Sequence, residues 1–567
     1  MKLPYGNANF EKIRTEGYFY VDKTRYIERL EQRPESHVMI LRSRRFGKSL
    51  FCNMLGWYYD RLHADRFDEL FAGTYIGAHP TPKRNSYMML TFNFSGINTE
   101  TLNDANDGFT REVRSKVTQF SDRYPNHFSA KERQRVSQQP KPADMLRELF
   151  DLLGTKDLRQ SVFVMVDEYD HFANNILSQG KSMFKDLVRT DGYVRPFYES
   201  LKKGAEGVVD RIFLTGVLPI LLDSLTSGFN IAKNLSTDEA FHEMFGFTEH
   251  EILPILNGLG ENVNRDHVRT YYNGYRFSAS ATQTLYNSAM ILYYASEYRP
   301  DIGGPKTMID SNVVSDYRKI RAILSIGEPG VEEEVLTRIV RQRQIVIKEV
   351  APMLMLTTET EFRFDEDALG SLLFYMGYLT IAGRQGLGIR LTMPNLVLES
   401  LYLDYMEHLL EQRSHIRIRS RDKLAMLQDL VDGKIERFIE LTEQMLKGLS
   451  NRDYQQFNEK YIKVVMLSLL SDVNIYIPHR EYEVNADGYV DLYLQAAFEP
   501  EQSAHYFIEL KYVKARAAKQ TQTQKAEEGR QQLRRYLATD TARAIPRLQS
   551  YVLVFRKDRC VQRIQRS

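Results

Sequence analysis

The chain has 567 residues, of which 43% are hydrophobic and 26% charged, a balance close to that of ordinary soluble globular proteins, so disorder is not the default reading. At roughly 100–200 residues per domain, it has room for about three or four domains, each with a core of its own. The 76 basic and 74 acidic residues leave a formal net charge of +2, so bulk charge points neither toward nor away from a polyanion, and any basic footprint must be local.

In chain order, the first buried strand is expected at residues 37–41, followed by others at 86–94, 161–166 and 211–215. Helical patterns lie between them, one around residues 143–153. Strands alternating with helices predict a mostly parallel sheet covered on both faces. From about Thr248 to residue 450 the pattern becomes largely helical, with turn signals at Asn273-Gly274 and Gly303-Gly304-Pro305. Small hairpins are expected at residues 272–277 and 379–392. Alternating strands return at residues 489–494 and 506–511. A polar stretch, a basic helix and a last buried strand at residues 551–555 follow. Arginines from Arg530 to Arg566 make the end locally basic, either as a solvated helix face or as a surface for a polyanion. The two cysteines, Cys52 and Cys560, make neither a disulfide framework nor zinc-ligand spacing, and fit a reducing cytoplasm. No apolar run approaches the roughly 18 residues of a membrane span, and the start carries no apolar signal core.

Two constellations carry chemistry. The strand ending at Leu41 runs into Arg42-Ser43-Arg44-Arg45-Phe46-Gly47-Lys48-Ser49 and then an apolar helix start. Gly-Lys-Ser between strand and helix is the core of a phosphate-binding loop. Gly47 lets backbone approach phosphate, Lys48 neutralises its charge, and the Ser49 hydroxyl can ligate Mg²⁺. Arg42 stands where such a loop usually has its first glycine. The strand at residues 162–166 ends in Asp167-Glu168-Tyr169-Asp170. There Asp167 would hold the metal through water and Glu168 would orient the attacking water. Thr215, ending another strand, could sense a terminal phosphate. The alternatives are a basic surface turn, an acidic turn and a plain strand end.

The second constellation is late in the chain. Asp491 lies on one strand, and Glu509-Leu510-Lys511 on the next. Glu509 and Lys511 project to one side of their strand. If the strands are neighbours, two carboxylates and a lysine converge. Asp491 and Glu509 could then bind Mg²⁺, and Lys511 could position the nucleophile or stabilise a phosphoryl centre. This is the minimal site of a restriction-endonuclease-like phosphodiesterase. The alternative is a structural salt bridge. Glu459, Glu481 and Glu483 are candidates for a further acid.

At these residues the chain resembles the bacterial and archaeal AAA-ATPase-like family that carries a C-terminal PD-(D/E)XK nuclease superfamily domain. The resemblance lies in Gly17-Tyr18-Phe19-Tyr20-Val21-Asp22-Lys23-Thr24, Arg44-Arg45-Phe46-Gly47-Lys48-Ser49, Asp167-Glu168-Tyr169-Asp170 and Thr215-Gly216. It continues through Ser227-Gly228-Phe229-Asn230, Phe245-Gly246-Phe247-Thr248 and Tyr272-Asn273-Gly274-Tyr275-Arg276-Phe277. Late in the chain it includes Asp491, Glu509-Leu510-Lys511 and Gln532 to Tyr536. Within this family a loop without the first glycine is normal. Ser43 stands where the family usually has proline, and Asn273 where it has aspartate.

The resemblance implies an α/β P-loop domain over residues 1–247, a mostly helical middle over 248–450 and a nuclease-like α/β domain over 451–567. It implies ATP and Mg²⁺ as cofactors, with Arg45, Phe46, Gly47, Lys48, Ser49, Asp167 and Thr215 at the nucleotide. Ser49 and Asp167 would hold one metal, and Asp491 and Glu509 another. Glu168, Asp491, Glu509 and Lys511 would be catalytic. The expected function is an ATPase coupled to a Mg²⁺-dependent nuclease in the cytoplasm, acting on nucleic acid, DNA before RNA. The competing expectation is a nucleotide-dependent switch whose C-terminal domain binds nucleic acid or a partner without cutting. No arginine is marked to reach a neighbouring subunit, so a homo-oligomer is left open.

Overall fold

The computed structural model describes residues 1–98, 100–171, 194–222, 232–313, 331–356, 365–449, 458–471, 475–485, 488–497 and 501–566. The block Ser227–Asn230 lies outside them. The chain forms two compact units, one of Met1–Glu332 with Ile345–Pro394 and one of Glu333–Gln344 with Asn395–Ser567.

The first unit is built on a five-stranded sheet. Its strands are β1 (His37–Leu41), β2 (Met88–Asn93), β3 (Val162–Asp167), β4 (Val209–Gly216) and the short β6 (Lys233–Asn234), in the order β2-β3-β4-β1-β6. Every neighbouring pair is parallel. All six residues of β3 are buried, as in a strand covered on both faces. The helix Lys48–Tyr59 leaves the end of β1 and buries Phe51, Met54, Leu55 and Tyr58. That i, i+3, i+4, i+7 spacing makes one apolar stripe. Helix Pro142–Thr155 opens on a proline at its first turn, where the missing N–H costs nothing.

Parallel β5 (Ile220–Leu222) and β8 (Leu354–Leu356) form a two-stranded ribbon. Another small sheet has the order β7-β10-β9, with β7 at Gln344–Ile347. In it, β9 (Thr380–Gln385) and β10 (Gly388–Thr392) form the hairpin expected at residues 379–392. The hairpin expected at residues 272–277 does not form. Helix Arg265–Tyr272 runs into that stretch, and Tyr275 makes only an isolated bridge to Leu285. Gly274, at φ 119°, is pressed so close to Pro394 that a Cβ would sit 1.9 Å from its carbonyl oxygen. This packing bends the chain away from a hairpin.

The second unit has a five-stranded sheet of β11 (Tyr476–Asn485), β12 (Gly488–Ala496), β13 (His505–Val513), β14 (Leu548–Arg556) and β15 (Arg559–Arg566), in that order. Only β13 and β14 are parallel. Parallel neighbours need a crossover, and helix Lys519–Leu537 lies within it. Its Gly529 lets the helix close on the sheet, since a Cβ there would meet Val552 at 2.6 Å. The basic end is not helical throughout: Arg559, Arg563 and Arg566 lie on β15, which returns antiparallel to β14 through Lys557 at φ 56°. Helices Leu396–Ser414, Ser420–Val431, Glu436–Gly448 and Glu459–Ser468 also belong to the unit. Fully buried Glu399 lies 2.7 Å from Arg343 and 2.9 Å from Arg480, which ties the segment Glu333–Gln344 into this unit.

Candidate functional site

In the first unit, the parallel register sets Leu41 beside Gly216 and Val166 beside Leu214. The carboxyl ends of β1, β4 and β3 therefore share one edge, the usual place for a ligand in a parallel sheet. Gly47 takes φ 94° at the start of the helix, a conformation open to glycine. Lys48 is buried, and its Nζ donates to the carbonyls of Arg42 at 3.0 Å and Ser43 at 3.1 Å. Burial pulls the ammonium pKa down, while Glu168, Asp167 and Asp170 pull it up. Asp167 is buried, and one of its oxygens accepts from Asn93 at 3.2 Å. Burial raises its carboxyl above the ordinary value, against the Ser49 hydroxyl and Lys48. Glu168 stands at φ 55°, a left-handed conformation with a strain cost of about 1–3 kcal/mol. The neighbouring His171 ring, then Lys48 and Arg44, hold its carboxyl at about 2 despite burial.

Asp167 Oδ1, Thr215 Oγ1 and Ser43 Oγ are buried without a hydrogen-bond partner among the described residues. Each such atom costs about 1–3 kcal/mol unless a ligand or ion completes it. Together with Lys48 and the helix start, they fit a phosphate chain with a hard divalent ion.

Four residues to which the sequence assigned no binding or catalytic role shape this edge. Arg42 is a buried strut, not a substitute for a loop glycine. It donates to the carbonyls of Leu41, Ser236 and Phe241 and lies 4.1 Å from the centroid of Phe277. Arg42→Ala strands these acceptors, and we expect a loss of about 3 kcal/mol, read as a lower thermal unfolding midpoint. Asp170 accepts the N–H groups of Val217 and Leu218, clamping the end of β3 to the turn after β4. His171 Nδ1 lies 3.6 Å from Glu168. Lys23 bonds Glu251 at 2.7 Å and the Glu243 carbonyl at 2.9 Å.

The Phe46 ring is buried edge-on to Tyr275 and Phe277, at 4.9 and 5.4 Å, and its carbonyl accepts from Gly246 at 3.0 Å. Arg45, at φ 66°, reaches the Asn312 carbonyl at 3.3 Å. A cavity of about 250 Å³ beside the loop is lined by Tyr5, Phe19, Lys48, Glu168, Phe245 and Leu292, among others. An apolar cleft with a few polar groups at one end suits a flat heterocycle carrying an anionic tail.

The second site lies where β12 and β13 part. These strands pair only at Leu492–Leu494 with Tyr506–Ile508. Beyond Ile508 the ladder opens, and the N–H groups of Leu510 and Tyr512 go to side chains: Asp491 Oδ2 at 3.1 Å and Glu459 Oε1 at 3.1 Å. In a strand, the N–H and C=O of one residue share an edge, so the Leu510 carbonyl also faces the opening. Lys511 Nζ lies 3.1 Å from Glu509 and 4.0 Å from Asp491. Asp491, Glu509 and Lys511 therefore converge. Glu459, from helix Glu459–Ser468, reaches the same strand, whereas Glu481 and Glu483 are exposed on β11. The same helix brings Lys463 to Asp491 at 3.2 Å. Tyr536 closes over Gly488, where a Cβ would meet its ring at 2.3 Å, and Gln532 Oε1 is buried without a partner among the described residues.

Burial and the neighbouring Asp491 charge push the Glu509 carboxyl well above its ordinary range. Burial works against ionisation of Asp491 too, but the adjacent Glu509 carboxyl and the ammoniums of Lys463 and Lys511 outweigh it and hold Asp491 down. Glu509 Oε1 is buried and unpartnered among the described residues. No group of three His, Cys, Asp or Glu side chains gathers for a metal among the described residues. Two carboxylates and a carbonyl suit Mg²⁺ or Mn²⁺, which keep several waters.

Binding such an ion requires Glu509 to lose its proton. The Mn²⁺ dissociation constant should therefore fall roughly tenfold per unit as pH rises through neutrality, measured by calorimetry, and Glu509→Gln should flatten this dependence. Without metal, the raised Glu509 pKa contributes stability that is complete below the ordinary carboxylate range. That contribution is lost as pH rises through the raised value.

A parallel sheet with a Gly-Lys-Ser loop and an acid pair at its edge, and a separate split sheet with Asp…Glu-x-Lys at the split, define a P-loop ATPase-like protein with a nuclease-like unit. Residues 4–226 match the family described as "Predicted AAA-ATPase", and residues 457–564 match the PD-(D/E)XK nuclease superfamily. Two separate stretches of the chain thus match family models, an AAA-ATPase-like one first and a PD-(D/E)XK nuclease superfamily one later. It is similar to an uncharacterized protein in the vnfD 5′ region of Azotobacter chroococcum mcd 1, with 26% identity over 426 residues, covering 71% of this chain and 70% of that one. The Walker-type ATPase of Pyrococcus abyssi aligns at 14% identity with a TM-score of 0.37, over 69% of this chain and 97% of that chain. No helix among the described residues is long and apolar enough to cross a membrane.

Proposed function

We propose that the chain hydrolyses ATP in its first unit and cleaves nucleic acid, DNA before RNA, in its second, with Mg²⁺ at both centres and nucleotide state governing cleavage. The observation that carries the nuclease half is the opening between β12 and β13, where Asp491, Glu509 and Lys511 meet beside a strand edge free of its ladder.

In the first unit, Lys48 and the helix start bind the phosphates, with Ser49 and Asp167 as the groups that would hold the ion. Glu168 orients the attacking water, and its low pKa keeps it an acceptor. Thr215, whose buried hydroxyl lacks a partner among the described residues, contacts the terminal phosphate. The cavity beside Phe245 and Leu292 takes the base.

In the second unit, Asp491 and Glu509 would hold a divalent ion, which supplies a more acidic water and offsets charge on the phosphodiester. Lys511 holds the Glu509 carboxylate and faces the reacting phosphate. Exposed arginines of helix Lys519–Leu537 suit a polyanion. Full-length protein incubated with supercoiled plasmid, linear duplex and single-stranded RNA, with Mg²⁺ and with and without ATP, tests the reading. Nicked or shortened DNA, lost on chelation, is the expected result. Intact polymers under every condition, with ATP still hydrolysed, would replace it with a nucleotide-dependent switch.

A further inference from the structure

Helix Glu459–Ser468 brings a second lysine to the opening, outside the Asp…Glu-x-Lys set. Lys463 is 7% exposed, and its Nζ lies 3.2 Å from Asp491 Oδ1. The other oxygen of Asp491 receives the Leu510 N–H at 3.1 Å and faces Lys511 at 4.0 Å. Both oxygens of this carboxylate are therefore engaged, one of them by an ammonium. Glu459 and Lys463 are one helical turn apart, so one helix face delivers the carboxylate that caps Tyr512 and the ammonium that holds Asp491.

Burying an ammonium is costly unless it is paired, and this one is paired with the carboxylate of the site itself. In two-ion phosphodiesterase centres the ions sit about 3.5–4 Å apart, close enough for one carboxylate to bridge them. Asp491 cannot bridge two ions while Lys463 holds Oδ1.

We propose that Lys463 is a built-in second cation: the centre takes one divalent ion, and Lys463, acting through Asp491, supplies the positive charge that a second ion would bring to a phosphodiester. The proposal rests on reading the opening as a hydrolytic centre. Lys463 is then a positioning residue that fixes Asp491 and sets the metal count.

The test counts Mn²⁺ bound to the full chain by electron paramagnetic resonance. Wild type and Lys463→Met are each compared with the same background carrying Asp491→Asn, so that ions bound elsewhere cancel. One ion should disappear with Asp491→Asn in the wild type, and two in the Lys463→Met background. Plasmid cleavage by Lys463→Met should fall about 10²-fold at low Mn²⁺ and recover as Mn²⁺ is raised, while Lys463→Arg keeps the single ion. Two ions in the wild type would overturn the proposal and leave the hydrolytic reading standing. So would a single ion in Lys463→Met with a cleavage defect that no metal concentration restores, the behaviour of a purely structural lysine. If Asp491→Asn removes no ion from the wild type and the wild type cuts no DNA, the hydrolytic reading itself falls.

Discussion

Lys511→Ala should reduce DNA cleavage by roughly 10³-fold while ATP hydrolysis stays within about twofold of wild type, because Lys511 takes no part in the ATP chemistry proposed for the first unit. The ammonium lies 3.1 Å from Glu509 and 4.0 Å from Asp491. Without it, buried Glu509 and half-buried Asp491 keep Lys463 as their remaining lysine partner among the described residues, and like charges so close cannot both ionise readily. Glu509 would hold its proton more tightly and meet the metal less readily. Lys511→Arg should not rescue activity, since a planar guanidinium does not take the place of a compact ammonium. Measured ATP turnover distinguishes a lost active-site group from a misfolded chain. Cleavage that persists in Lys511→Ala would remove this residue, and with it the assigned site, from the reaction.

Lys48→Ala should weaken ATP binding by roughly 10²-fold or more and abolish hydrolysis, since a desolvated charge facing phosphate is worth several kcal/mol. The Lys48 ammonium is buried against the Arg42 and Ser43 carbonyls, and its acidic neighbours favour the charged form. Those carbonyls hold the ammonium within the loop at the helix start. Glu168→Gln should behave differently, keeping nucleotide affinity and losing turnover. Calorimetry with a non-hydrolysable ATP analogue, together with a phosphate-release assay, separates the two. Wild-type affinity in Lys48→Ala would mean that the loop does not hold the phosphates.

The pattern of strands and helices was legible because burial periodicity is local. β1 at His37–Leu41 and the burial of every residue in β3 follow from runs of apolar side chains. The Gly-Lys-Ser turn was readable for the same reason, since a strand, a glycine turn and an apolar helix start are consecutive in the chain. β15 was harder to see, because its arginines alternate with modestly apolar residues and its partner β14 supplies the strand context. The hairpin expected at residues 272–277 failed because Gly274 packs against Pro394, 120 positions away, a contact no local window contains.

Residue chemistry alone identified which side chains could meet phosphate or a divalent ion: an ammonium, a hydroxyl and carboxylates at strand ends. Their meeting depended on partners distant in the chain. Arg42 became a strut because Ser236, Phe241 and Phe277 surround it. Glu459, rather than Glu481 or Glu483, reached the late strand pair because a helix edge arrives where β12 and β13 separate. Lys463 joined Asp491 by the same route. Side-chain type sets what a group can bind, but burial, charge pairing and strand register are long-range properties, and only the folded chain decides which groups face one another.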